Sequence, residues 1–152
     1  MDGNPILICY NGSGNDRNAI ESASALLGRR SAVVVDIGPP LTAAESLAAV
    51  SSVVPGGAFE DLNADDALWR ARDGAEIARN AGFDAEARAD VAAPTWQGIV
   101  DVADEIDAAL IVIGSRGLSG LRERIEGSVS HDLAQHARRP ILIVPPHRTP
   151  ST

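Results

Sequence analysis

A chain of 152 residues that is 45% hydrophobic is long enough for one domain with a sizeable core, and 3% aromatic content leaves Val, Ile, Leu and Ala to build it. Its 21 acidic and 13 basic side chains give a net charge of -8, which argues against a nucleic-acid-binding surface. Every cation is an arginine, so a phosphate loop built around lysine and a lysine Schiff base are both excluded.

The lone cysteine, Cys9, has no internal partner and lies in an apolar run, where a small buried hydrophobe is expected. The start, Met-Asp-Gly-Asn-Pro, lacks the pattern of a signal peptide, and no apolar run approaches the ~20 residues of a membrane helix. A cytoplasmic protein is the expectation.

In chain order, Ile6 to Tyr10 reads as a buried strand broken by Asn11-Gly12-Ser13-Gly14. Asn15 or Asp16 is suited to cap a helix through about Leu27, with Ile20, Ala23, Leu26 and Leu27 on one face and Gly28 as its stop. Ala32 to Val35 is a second strand, running out through Asp36-Ile37-Gly38 to Pro39-Pro40. Thr42 is placed to cap a short helix through Val53. A firmer helix is predicted from Asn63 or Asp65 to Asn80, with Leu68, Trp69, Ala75, Ile77 and Ala78 on its buried side and Gly74 weakening it by ~1 kcal/mol. Phe83 to Val91 reads as a strand near a sheet edge.

Thr95 is a suitable cap for a helix whose apolar face is Ile99, Val102, Ala103 and Ile106. Leu110 to Ile113 is a run fit for a strand buried on both faces. It stops at Gly114 and enters a loop with Gly117 and Gly120, then Gly127-Ser128 opens a helix to about Ala137. Ile141 to Val144 is the last strand; residues 1–146 form the predicted domain and 147–152 a frayed tail.

Strands and helices thus alternate, which calls for a single doubly wound five-stranded, mostly parallel α/β sheet with helices on both faces. Right-handed crossovers give the order 3-2-1-4-5, with the switch point between strands 1 and 4. The loops at Asn11–Gly14 and Gly114–Gly127 follow those two strands and face each other across the crevice where such sheets bind ligands.

Strand, glycine loop and helix start together suit a phosphate, since bare backbone comes close and unpaired amides favour an anion. By themselves the residues leave a ligand-free glycine connection open. Arg116, Arg122 and Arg124 bring positive charge into this loop, either for phosphate or as solvated side chains. Gly12-x-Gly14 has Arg17 where a dinucleotide fingerprint needs its third glycine, so a dehydrogenase is disfavoured. His131, His136 and His147 lack metal-site spacing, and a triad built from Ser128 or Ser130 with His131 fails because helix neighbours point apart. Trp69 and Trp96 read as core or helix-packing residues.

The opening Ile-Leu-Ile-Cys-Tyr-Asn-Gly-Ser, the spacing Gly114-x2-Gly117-x9-Gly127-Ser128 and the closing Arg-Arg-Pro-Ile-Leu-Ile-Val-Pro resemble the universal stress protein family over nearly the whole chain, least between Leu41 and Leu62. The resemblance implies a flavodoxin-like, ATP-binding domain, a sensor or regulator in the stress response, that dimerises with itself through the last strand. Carried over by position, Cys9, Tyr10, Asn11 and Ile37 line the adenine and ribose end, and Ile113 and Gly114 the floor. Gly117, Gly127, Ser128 and Val129 hold ribose and phosphates, with Ser130 close by. The family usually has Asp where this chain has Asn11, which keeps a carbonyl acceptor but puts a Mg²⁺ contact there in doubt. The rival readings are a ligand-free dimeric module acting through a protein partner, and a slow ATP hydrolase using Asp36 or Glu126.

Overall fold

A computed structural model describes residues 3–40, 57–115 and 129–146. Its elements are β1 (Ile6–Cys9), α1 (Gly14–Leu27), β2 (Ser31–Gly38), α2 (Gly57–Ala81), β3 (Asp84–Val91), α3 (Thr95–Glu105), β4 (Leu110–Gly114), α4 (Val129–His136) and β5 (Ile141–Val144). The strands form one sheet in the order β3-β2-β1-β4-β5, as the alternating pattern predicts. Every pairing is parallel, with Cys9 beside Val35 and Ile8 beside both Val34 and Val112.

Alternation along β1 divides the core in two. Ile6, Ile8 and Tyr10 face α1 and α2, where they meet Ala19, Ile20, Ala75 and Ala78. Leu7 and Cys9 face α3 and α4, where they meet Ile99, Val102 and Leu133. The small residues on α1 and α2 let both helices lie close to the sheet, so a core with few aromatics still fills. Gly74 is the extreme case: a Cβ there would lie 2.7 Å from the Tyr10 ring and 2.8 Å from Val34 Cγ1.

Several local expectations are corrected. Ser13, not Asn15 or Asp16, caps α1, its Oγ accepting the Asp16 N–H. The second long helix starts at Gly57 rather than at 63 or 65. Trp69 is 69% exposed, because the buried stripe of α2 runs through Ala67, Ala71, Ala75 and Ala78 and Trp69 falls outside it. Leu26 is exposed in the same way on α1. Pro94 holds the cap position of α3, without a side-chain hydrogen bond, and Thr95 is its first helical residue; Ile106 lies just past its end. The expected Thr42–Val53 helix and the 147–152 tail lie outside the described residues.

Candidate functional site

The chain leaves β1 toward β2 and leaves β4 toward β5, so the loops after these neighbouring strands diverge and open a crevice at their carboxyl ends. On one side stands Asn11–Ser13. On the other stands Ser115, whose N–H donates to the Val144 carbonyl at 2.8 Å and carries the β4–β5 pairing one residue beyond the strand.

The β1–α1 loop is bonded within itself. The Asn11 N–H donates to Asp16 Oδ2 at 2.8 Å, and Asn11 Oδ1 accepts the Ser13 N–H at 3.1 Å. Ser13 Oγ accepts the Asp16 N–H at 3.2 Å, and the Ser13 carbonyl accepts the Arg17 N–H. Asp16 is 8% exposed, so a buried carboxylate stands in the first turn of α1 and satisfies the positive end of that helix. Gly12 turns the loop at φ +93°. The amides of Asn11, Ser13, Asp16 and Arg17 are therefore occupied, and of the two glycine loops this one is a helix cap. The signal for it was Ser13-x2-Asp16, a serine cap followed by an acid in the first turn, although the Asp16 carboxylate reaches back to Asn11 and not to Ser13 itself.

Gly114 has a similarly local reason to be glycine. A Cβ on it would lie 3.0 Å from the Asn15 carbonyl oxygen and 3.2 Å from Asp16 Oδ1, so its bareness lets the start of α1 close onto β4.

The expected site residues fall into three groups. Cys9, Ile37 and Ile113 come together in the apolar cluster on the α3–α4 side, each slightly exposed near the strand ends. Burial, then the Asp16 and Asp36 carboxylates, push the Cys9 thiol far up, which makes it a neutral apolar lining and not a thiolate. Tyr10 is not with them: its ring is buried on the α1–α2 side, and its hydroxyl donates to Asp73 Oδ2 at 2.7 Å. Burial and that bond push its phenol up to about 12. Val129 and Ser130 open α4, half-buried. Gly117, Gly127 and Ser128 lie outside the described residues, as do Arg116, Arg122, Arg124, Glu126 and His147.

Two further side chains bear on the site. Asp36, at the end of β2, is 6% exposed and accepts from Arg70 Nε of α2. Burial pushes its carboxyl up, and the guanidinium pulls the other way. No periodicity marks this pair, since Arg70 stands at the border of the buried alanine stripe of α2, between exposed Trp69 and buried Ala71. The second is Asn18, whose Nδ2 donates to the Pro145 carbonyl at 3.0 Å while its buried Oδ1 has no hydrogen-bond partner among the described residues. His136 of α4 stacks on Trp96 of α3 with ring centroids 4.1 Å apart, which makes Trp96 a helix-packing residue.

A sequence model of the universal stress protein family matches residues 4–145. This chain belongs to that family. The universal stress protein YxiE of Bacillus subtilis (strain 168) is 52% identical over 46 residues, which are 30% of this chain and 31% of YxiE, so the alignment spans under a third of that relative. A universal stress protein solved in complex with cAMP superposes with a TM-score of 0.68 at 24% identity, covering 95% of this chain and 97% of its own. The universal stress protein from Archaeoglobus fulgidus in complex with dAMP gives 0.61 at 23%, covering 95% and 99%. At these identities the structural likeness is one of fold.

The described side of the crevice offers an apolar lining from Cys9, Ile37 and Ile113, a neutral thiol, and Asn11 exposed at the rim. Among the described residues, no group of three or more His, Cys, Asp or Glu is placed to hold a metal.

Proposed function

We propose that this universal stress protein binds ATP at the β1–β4 switch point and serves as a nucleotide-dependent sensor or regulator of a stress response. The observation that carries the reading is the full Gly114-x2-Gly117-x9-Gly127-Ser128 spacing directly after the strand that borders the crevice. The cAMP and dAMP complexes of two structural neighbours support an adenine nucleotide as the ligand class.

Cys9, Ile37 and Ile113 face the base, Asn11 the ribose, and Tyr10 contributes main chain only. Gly117, Gly127, Ser128, Val129 and Ser130 take ribose and phosphates, and Gly114 closes the floor. In this reading Mg²⁺ accompanies ATP on its phosphates, with no ligand asked of Asn11. The reading places the protein in the cytoplasm as a homodimer through β5; among the described residues no helix is long and apolar enough to cross a membrane. Asp36 is already engaged by Arg70, which weakens the hydrolase alternative. The ligand-free module draws support from the internally bonded β1–α1 loop.

The deciding experiment is mass spectrometry of whatever small molecule leaves the purified protein, followed by calorimetry with ATP and AMP. Several charge-assisted bonds at ~1.5–3 kcal/mol each, less association costs, give an expected micromolar dissociation constant, about -8 kcal/mol. Gly117→Val, which fills the space needed by phosphate, abolishes that binding while the fold persists. An empty protein that takes up neither nucleotide at millimolar concentration overturns the proposal in favour of the ligand-free module, and normal binding by Gly117→Val overturns the loop assignment.

A further inference from the structure

The β1–α1 loop is gripped from two sides. From α1, the Asp16 carboxylate accepts the Asn11 N–H. From α2, the stem of Arg70 lies over Gly12, its Cδ 3.7 Å from the point a Cβ would occupy. Arg70 is itself held, because its Nε donates to the buried carboxylate of Asp36 at the end of β2. A carboxylate kept out of water is retained at a cost, and a buried charge without its partner is strongly destabilising. This charge pair ties α2 to the sheet at the level where the arginine stem reaches the loop that carries Asn11.

We infer that Arg70, locked by Asp36, is a positioning residue that sets Asn11 at the nucleoside end of the crevice. The inference rests on the nucleotide reading of that crevice. Arg70 acts through Gly12 and Asn11 and does not touch the ligand. Its contribution is therefore the same for adenosine as for ATP, and it disappears once Asn11 has no side chain to place.

The test compares two charge-free pairs, neither of which leaves a buried ion unpaired. Asp36→Asn with Arg70→Met keeps a stem over Gly12; Asp36→Asn with Arg70→Ala removes it. In calorimetry the alanine pair is expected to bind both adenosine and ATP about tenfold more weakly than the methionine pair, and the difference vanishes in an Asn11→Ala background. Equal binding by the two pairs, a difference that survives Asn11→Ala, or a loss that grows with phosphate number overturns the inference. Amide hydrogen exchange of the ligand-free protein supplies a readout independent of binding: Asn11 and Ser13 exchange faster in the alanine pair than in the methionine pair. Equal exchange overturns the inference as well. If the unaltered protein binds no nucleotide, the functional reading falls, and the exchange comparison still decides whether Arg70 orders the loop.

Discussion

Gly74 is where two physical rules give opposite answers at one residue. Helix propensity favours Ala over Gly in the interior of a helix such as α2 by ~1 kcal/mol. Packing opposes it, because a Cβ at this position would sit 2.7 Å from two atoms of the Tyr10 ring and 2.8 Å from Val34 Cγ1. The ring has little room to retreat: Tyr10 is buried and its hydroxyl is fastened to Asp73. Overpacking of this kind costs ~1–3 kcal/mol. Gly74→Ala is therefore expected to lower stability by up to about 2 kcal/mol. At ~2–4 °C per kcal/mol for a chain of this size, thermal melting by circular dichroism falls by several degrees. An unchanged or raised midpoint would mean that propensity wins and the ring yields. The sequence alone could assign Gly74 only its propensity cost, since the crowding comes from Tyr10 after β1 and Val34 of β2, both remote in the chain.

At the scale of elements, the start of α1 is the joint between scaffold and site. Ser13 caps the helix, Asp16 reaches back to Asn11, and Asn11 reaches forward to Ser13, so one serine supports the cap and the loop together. Ser13→Ala removes the acceptor for the Asp16 N–H. The expected cost is about 1 kcal/mol, in the usual range for a lost cap. In urea the midpoint drops with an unchanged slope, because the surface exposed on unfolding stays the same; a midpoint equal to that of the unaltered protein would show that solvent replaces the cap at no cost. Helices and strands were legible because their signals are local: Ile-Leu-Ile for β1, Ile-Val-Ile for β4, and the i, i+3, i+4 face of α3. Ends and orientations were less legible. Ser13, Asn15 and Asp16 are all good caps, and only the fold of the preceding loop selects Ser13. Trp69 reads as core by its hydrophobicity, yet α2 presents alanines to the sheet because small residues let it sit close. Of the site, the family resemblance put Cys9, Tyr10 and Ile37 together and Ile113 at the floor, whereas strand parity places Cys9, Ile37 and Ile113 on one face of the sheet. Tyr10 follows Cys9 directly and points the other way for the same reason.

At the scale of the whole molecule, the topology leaves β3 and β5 as the two edges, and they are treated differently. β3 carries Asp84, Glu86, Arg88 and Asp90, with Arg88 bonded to Glu105 of α3, a charged edge of the kind that discourages further pairing. β5 is Ile-Leu-Ile-Val, with Ile143 41% exposed and Ile141 and Leu142 only partly covered. An uncharged edge with apolar side chains is suited to a second copy of itself, and a twofold axis across β5 would place the two strands antiparallel in one continuous sheet. Four residues are too few to supply the ~1,200–2,000 Å² of a stable interface, so the strand contact must be joined by side chains around it. Ile143 is then the central anchor. The proposed homodimer predicts twice the chain mass by light scattering at micromolar concentration and conversion to monomer by Ile143→Lys, with the circular dichroism spectrum retained because Ile143 contributes little to either core. A monomeric unaltered protein at that concentration, or an Ile143→Lys variant that stays dimeric, would remove β5 from the assembly and leave its exposed isoleucine without a partner.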